Sequence, residues 1–183
     1  MKSDERKSAL TARRALSDEQ RRRNSAEICK KLFALTELKN AKTVFSYLAS
    51  WDEVDLAGFD SELESRGVTV AYPVCLEKGH MEAYVPDCAD ALAVGAYGIK
   101  APVVERSRLI DPAEIDVVLV PCVAYDDERN RLGHGAGYYD RYLPRCSRAK
   151  FICVAYEAQR LEHVTVDEYD TKMDMVITEH AEL

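Results

Sequence analysis

The chain has 183 residues, 47% hydrophobic and 31% charged, enough for one domain that buries a core without disulfides or a structural metal. Its formal net charge of -7 argues against a general nucleic-acid binder, which carries a basic surplus. No apolar run is long enough to span a membrane, and the charged N-terminus lacks the apolar core of a secretory signal, so a cytoplasmic protein is expected.

Residues 2–16 read as a basic helix carrying Lys2, Arg6, Lys7, Arg13 and Arg14. Lys2 and Arg6 stand four apart on one face, where two cations could grip a polyphosphate. Ser17-Asp18-Glu19-Gln20 has the form of a capping box and starts a second helix, with Ile28, Leu32 and Leu35 at helical spacing. Residues 43–48 read as a strand, followed by a loop over 49–53 that holds Trp51 and Glu53. In open α/β sheets ligands gather at that end of the strands. A helix over 55–65, with Gly67 as its stop, leads to a strand over 68–73. Met81–Val85 is a shorter alternating strand suited to an edge, and residues 95–102 have no regular period and read as loop. Val117-Val118-Leu119-Val120-Pro121 is an unbroken apolar run, the signature of a central strand buried on both faces. After a charged loop over 126–130 come a helix over 138–143 and strands over 151–155 and 175–177. Strands alternating with helices predict a mostly parallel, helix-flanked sheet in a single domain over 1–183.

Between the central strand and the helix at 138, glycines occupy alternate positions, Gly133, Gly135 and Gly137. Glycine lets a group approach the backbone closely, and such a loop at a helix start can aim several N–H groups at an anion. A plain glycine-rich turn is the competing reading. The loop has no Gly-Lys-Ser/Thr ending, so it is not a P-loop, and its spacing is wrong for a dinucleotide fingerprint. Arg131 and Arg141 flank it and Asp140 sits at its helix end; guanidinium groups, N–H groups and a carboxylate together suit a metal–polyphosphate. His134 lies inside the loop, whereas His80, His163 and His180 fall in polar stretches and read as surface residues. The six cysteines have no C-x-x-C spacing and read as reduced thiols; only Cys146, between Arg145 and Arg148, has an electropositive setting. Near the last strand, Asp174 is the acid that would join Asp140 as an oxygen ligand for Mg²⁺ on a nucleotide.

Val120-Pro121 through Asp126, then Arg131-Leu132-Gly133 through Asp140, resembles the signature of the 5-formyltetrahydrofolate cyclo-ligase (methenyltetrahydrofolate synthetase) family. Flanking pieces match in order along the chain: Lys2 and Arg6 ahead of Arg14 and Leu16-Ser17, Glu53-Val54-Asp55, Gly95 to Ile99, Ala155 to Gln159, and Met173-Asp174 with Thr178-Glu179. The resemblance implies a three-layer α/β/α sandwich with a mostly parallel sheet, similar to sugar-phosphate isomerases and CoA transferases. It implies an enzyme, an ATP- and Mg²⁺-dependent ligase that turns 5-formyltetrahydrofolate into 5,10-methenyltetrahydrofolate, ADP and phosphate. The γ-phosphoryl group passes to the formyl oxygen to give an imino-phosphate, N10 attacks, and phosphate leaves. By the same resemblance Lys2 and Arg6 contact ATP, as do Arg131, Leu132, Gly133, His134, Gly135, Ala136, Gly137, Tyr138 and Tyr139. His134 to Tyr138 also face the folate, with Leu48 and Glu53, while Arg131 and Tyr138 act in catalysis and Asp140 and Asp174 hold the metal. The implied partner is the folate, with or without a polyglutamate tail, and the implied state is a monomer bound to neither nucleic acid nor membrane. His134 stands where relatives carry tyrosine or arginine, and Ala136 where lysine, arginine or glycine is common. A non-catalytic nucleotide- or folate-binding relative of the same fold is the rival reading, and an ATP-independent sugar-phosphate isomerase a weaker third.

Overall fold

Ser17 starts the second helix as its sequence demands: its hydroxyl accepts from Gln20 N at 3.2 Å, and Gln20 Oε1 accepts from Ser17 N at 2.8 Å. A computed structural model describes residues 1–88, 90–95 and 98–183; Ala96 and Tyr97, within the stretch expected as loop, lie outside the described residues. The helices are α1 (Lys2–Arg14), α2 (Asp18–Ala34), α3 (Thr36–Asn40), α4 (Ala57–Ser65) and α5 (Tyr138–Tyr142). The strands are β1 (Thr43–Phe45), β2 (Thr69–Cys75), β3 (Met81–Pro86), β4 (Leu92–Val94), β5 (Lys100–Pro102), β6 (Ser107–Leu109), β7 (Val117–Pro121), β8 (Ala124–Tyr125), β9 (Arg131–Leu132), β10 (Lys150–Val154) and β11 (Met175–Ile177).

Seven strands form one mixed sheet in the order β11-β10-β7-β1-β2-β3-β6. The first five run parallel, in registers such as Val44↔Val117, Ile152↔Leu119 and Val44↔Val70. The expected central strand therefore lies inside the parallel part. Its alternation splits the core: Val117 and Leu119 pack with Ile28 and Leu32 of α2 and Phe59 and Leu63 of α4. Val118 and Val120 face the opposite cluster with Tyr142, Leu143 and Cys146. Helices thus flank both faces of an α/β fold. No helix among the described residues is long and apolar enough to cross a membrane.

Three expectations need correction. The 81–85 strand is not at the edge, because β3 pairs antiparallel with β2 on one side and β6 on the other. The edge is β6, a three-residue Ser-Arg-Leu strand too short to carry a period. The 95–102 loop ends in β5, which forms a hairpin with β4. The 126–130 loop is likewise the turn of a β8–β9 hairpin. Asp126 organises that turn: Oδ1 accepts from Glu128 N and Asn130 N at 3.0 Å, and Oδ2 accepts from Val164 N at 3.0 Å. Burial pushes its carboxyl up, but the Asn130 side-chain amide, which donates to Oδ2 at 2.9 Å, and these backbone donors outweigh it and hold the group below the usual value. The first strand is shorter than expected, since after Ser46 the chain turns away and Tyr47 donates its hydroxyl to Val54 O at 3.0 Å.

Candidate active site

All five parallel strands end on one side of the molecule, and a cleft of about 1140 Å³ opens there. Lys2 and Arg6 of α1, Leu48 and Ser50–Glu53 after β1, the 131–141 segment and Asp167–Asp170 line it. Thus the structure brings together every residue singled out for the site except Asp174. Trp51 stands at the rim, exposed, with the Arg21 guanidinium 5.1 Å above its ring.

The alternate glycines each face a guanidinium. A Cβ on Gly133 would lie 3.1 Å from Arg131 Nη1, one on Gly135 3.4 Å from Arg6 Cζ, and one on Gly137 2.7 Å from Arg141 Nη1. Gly135 and Gly137 also have φ of 101° and 69°, which side chains resist. The loop's carbonyls turn to the same cations: Gly133 O accepts from Arg6 Nε at 2.8 Å, and Ala136 O accepts from Arg141 Nη2. Among the described residues, no protein acceptor takes the backbone N–H groups of residues 134–137. Glycine spacing therefore serves two ends, room for three arginines and amides left for a ligand.

Arg131 is buried against its own loop. Its Nη2 donates to Asp140 Oδ1 at 2.8 Å, its Nη1 to Pro121 O at 3.3 Å, and its Cζ lies 5.5 Å from the Tyr139 ring centroid. Its Nε is buried with no partner among the described residues. On the other wall, Glu53 Oε2 accepts from Ser50 N at 2.9 Å, while Oε1 lies 4.0 Å from His134 Nε2 and 3.8 Å from Arg13 Nη1. Desolvation by the cleft walls lowers His134 below the ordinary value of 6.5, although its side chain stays 60% exposed and Glu53 pulls the other way. Arg13 and Asp52, which the sequence reading left out, form an ion pair beneath this wall with Nη2 3.0 Å from Oδ2. No local pattern marks either residue; their meeting depends on α1 crossing the end of β1.

Asp140 and Asp174 are not brought together. Asp174 Oδ2 accepts from Phe151 N at 2.8 Å, and Phe151 pairs with Val118 near the opposite end of the sheet. Arg131 ties Asp140 to Pro121, three residues further along that strand, or roughly 10 Å at the usual rise. Asp174 is thus engaged by the β10 backbone and does not line the cleft, whereas Asp140 does. The acid that this turn does deliver to the cleft is Asp170. The neighbouring Thr171 N donates to Asp140 Oδ1 at 3.5 Å. Asp170 Oδ2 lies 2.5 Å and Asp167 Oδ2 2.7 Å from Lys2 Nζ. Burial lowers the Lys2 amine, but the hydrogen bonds to these two acids outweigh it and leave it raised. Cys146 has no place in the site: it is buried under Leu143, and burial pushes its thiol up to about 12.

Residues 1–179 match the model of the 5-formyltetrahydrofolate cyclo-ligase family. The chain belongs to that family. It is 28% identical to the 5-formyltetrahydrofolate cyclo-ligase of Mus musculus over 177 residues, 91% of this chain and 87% of the relative. It is 27% identical to that of Escherichia coli K12, over 91% of this chain and 93% of the relative. The solved Aquifex aeolicus 5,10-methenyltetrahydrofolate synthetase is similar with a TM-score of 0.87 and 36% identity, covering 99% of this chain and 91% of that one. The Mycoplasma pneumoniae 5,10-methenyltetrahydrofolate synthetase aligns with a TM-score of 0.81 and 27% identity, covering 97% and 98%.

The donor set at the cleft suits the metal that the family resemblance implies. Asp140 and Asp170 offer hard carboxylate oxygens, and no group of three or more His, Cys, Asp or Glu gathers into a cage among the described residues. Mg²⁺ typically takes one or two carboxylates and completes its shell with phosphate and water, so a sparse site of this kind fits it.

Proposed function

We propose that the chain catalyses the ATP-dependent conversion of 5-formyltetrahydrofolate to 5,10-methenyltetrahydrofolate, ADP and phosphate. The observation that carries this reading is the family match over residues 1–179, on a chain whose matched site residues line one cleft. A formamide oxygen is a poor leaving group; phosphoryl transfer to it creates one that N10 of the same molecule can displace. Both nucleophiles belong to the substrate, so the protein's part is positioning and charge stabilisation.

Arg6 and the amides of His134, Gly135, Ala136 and Gly137 would hold the nucleotide's phosphates, with Leu132 and Tyr139 shaping the loop beneath them. Lys2 would join them on leaving Asp167 and Asp170. The pterin would lie against Leu48, its donors on Glu53, facing His134 to Tyr138. Arg131 and Tyr138 would stand nearest the transferred group. Mg²⁺, held with the nucleotide by Asp140 and Asp170, supplies charge neutralisation there. We read the layered sheet as the type shared with sugar-phosphate isomerases and CoA transferases, and the enzyme as a monomer, because the described cleft is completed within one chain.

Purified protein mixed with ATP, Mg²⁺ and 5-formyltetrahydrofolate should form the methenyl product and ADP in equal amounts. Folded protein that binds both substrates yet releases no ADP would instead be the non-catalytic relative.

A further inference from the structure

The cations nearest the glycine loop and the α1 wall of the cleft fall into two classes. Lys2 is held by Asp167 and Asp170, Arg131 by Asp140, and Arg13 and Arg14 by Asp52. Each of these already has a carboxylate partner. Around the glycine loop, Arg6 and Arg141 have no carboxylate partner among the described residues and donate only to carbonyls. Arg6 Nε reaches Gly133 O at 2.8 Å; Arg141 Nε reaches Gly79 O at 2.9 Å, and its Nη2 reaches Ala136 O. A carbonyl acceptor orients a guanidinium without cancelling its charge.

The seat of Arg141 is built by backbone from two sides. Gly137 at φ 69° leaves room for Nη1, and Gly79 at φ 74°, in the turn between β2 and β3, would overlap Nη2 if it carried a Cβ. Arg141 lines the cleft beside Gly135, Ala136 and Gly137, and its Nη1 has no acceptor among the described residues. Ala136 contributes no cation of its own, so Arg141 brings positive charge to that end of the loop.

We propose that Arg141 is a phosphate-binding residue of this site, gripping the outer phosphates of the nucleotide opposite Arg6. The inference rests on the reading of ATP as co-substrate. A planar guanidinium fixed by two carbonyls is preorganised, so little freedom is lost when its remaining N–H groups meet phosphate oxygens.

Calorimetry of AMP, ADP and ATP binding to the full chain tests it, with 5-formyltetrahydrofolate as the control ligand. Arg141→Met is expected to lose about tenfold or more in ATP affinity, less in ADP affinity, and at most about twofold for AMP and folate. Arg141→Lys restores part of the loss because it restores the charge. Gly79→Ala, which alters the seat and leaves the side chain, reproduces the ATP-selective loss and serves if Arg141→Met does not fold. Equal losses for AMP and ATP would mean a merely structural role and overturn the inference. So would unchanged ATP affinity in folded Arg141→Met protein while wild type binds ATP. A wild-type chain that binds no ATP overturns the parent reading as well.

Discussion

Arg13 and Asp52 make a buried ion pair, Nη2 to Oδ2 at 3.0 Å, that joins the last turn of α1 to the turn bearing Glu53. Arg13 is 1% exposed and Asp52 2%. The guanidinium also donates to Cys122 O at 3.2 Å, and Ser50 Oγ donates to the other oxygen of Asp52 at 3.0 Å. The N-terminal end of the same helix carries Lys2 and Arg6, so one helix links both walls of the cleft.

Removing one partner leaves the other charge buried. Arg13→Ala should cost roughly 3 kcal/mol of unfolding free energy, read from urea melts, and should weaken folate binding through a loosened Glu53. Arg14, also 3.2 Å from Asp52 Oδ2, limits the loss. A variant as stable as wild type would show that the pair contributes nothing net.

Arg131→Ala unpairs Asp140 and removes the group beneath Gly133. A charge-assisted contact is typically worth about 1.5–3 kcal/mol, so KM for ATP should rise at least about tenfold. Steady-state kinetics at saturating folate measure this. Unchanged ATP kinetics would take Arg131 out of the nucleotide site and leave it as a loop support.

Asp60 lies buried beneath the sheet, with Ser46 Oγ 2.9 Å from Oδ2 and no partner for Oδ1 among the described residues. Burial pushes its carboxyl from 3.8 up to about 7, against hydrogen bonds from Ser46 and Tyr72. A folded value above the unfolded one means stability that is full below 3.8 and lost as pH rises through about 7. Asp60→Asn should therefore be more stable than wild type at pH ~8, by roughly 1–3 kcal/mol, with the gain shrinking towards pH ~4. Parallel melts across that range decide it; a gain that grows on acidification would contradict the assignment.

His134 should titrate below 6.5 and be largely neutral at pH ~7, because desolvation by the cleft walls outweighs the attraction of Glu53 even at a half-exposed ring. Glu53→Gln removes that attraction and should lower the midpoint further. Proton NMR of the ring follows both, and a wild-type midpoint above 6.5 would be incompatible with this environment.

The run 117–121 announced a buried central strand because strands covered on both faces have no polar side. Ser17 and Gln20 announced the start of α2 because a capping box is a local interaction. The glycine loop was legible for a similar reason: alternate glycines between strand and helix imply something close to the backbone. Which groups come close was not legible. Arg6, Arg131 and Arg141 reach the loop from three elements, and only their packing decides that each guanidinium meets one glycine.

Aspartates show the same division. Asp170 and Asp174 sit four apart around one turn, and nothing local says which points to the cleft. Strand register decides it, sending Asp174 to Phe151 N near the far end of the sheet and leaving Asp170 beside Lys2. The β6 edge and the Arg13–Asp52 pair were likewise beyond reach, one too short to carry a period and the other joining positions 39 residues apart. Periodicity and turn chemistry are local properties that a chain carries in its order. Charge pairing across the fold is decided only when tertiary packing removes water and sets the distances.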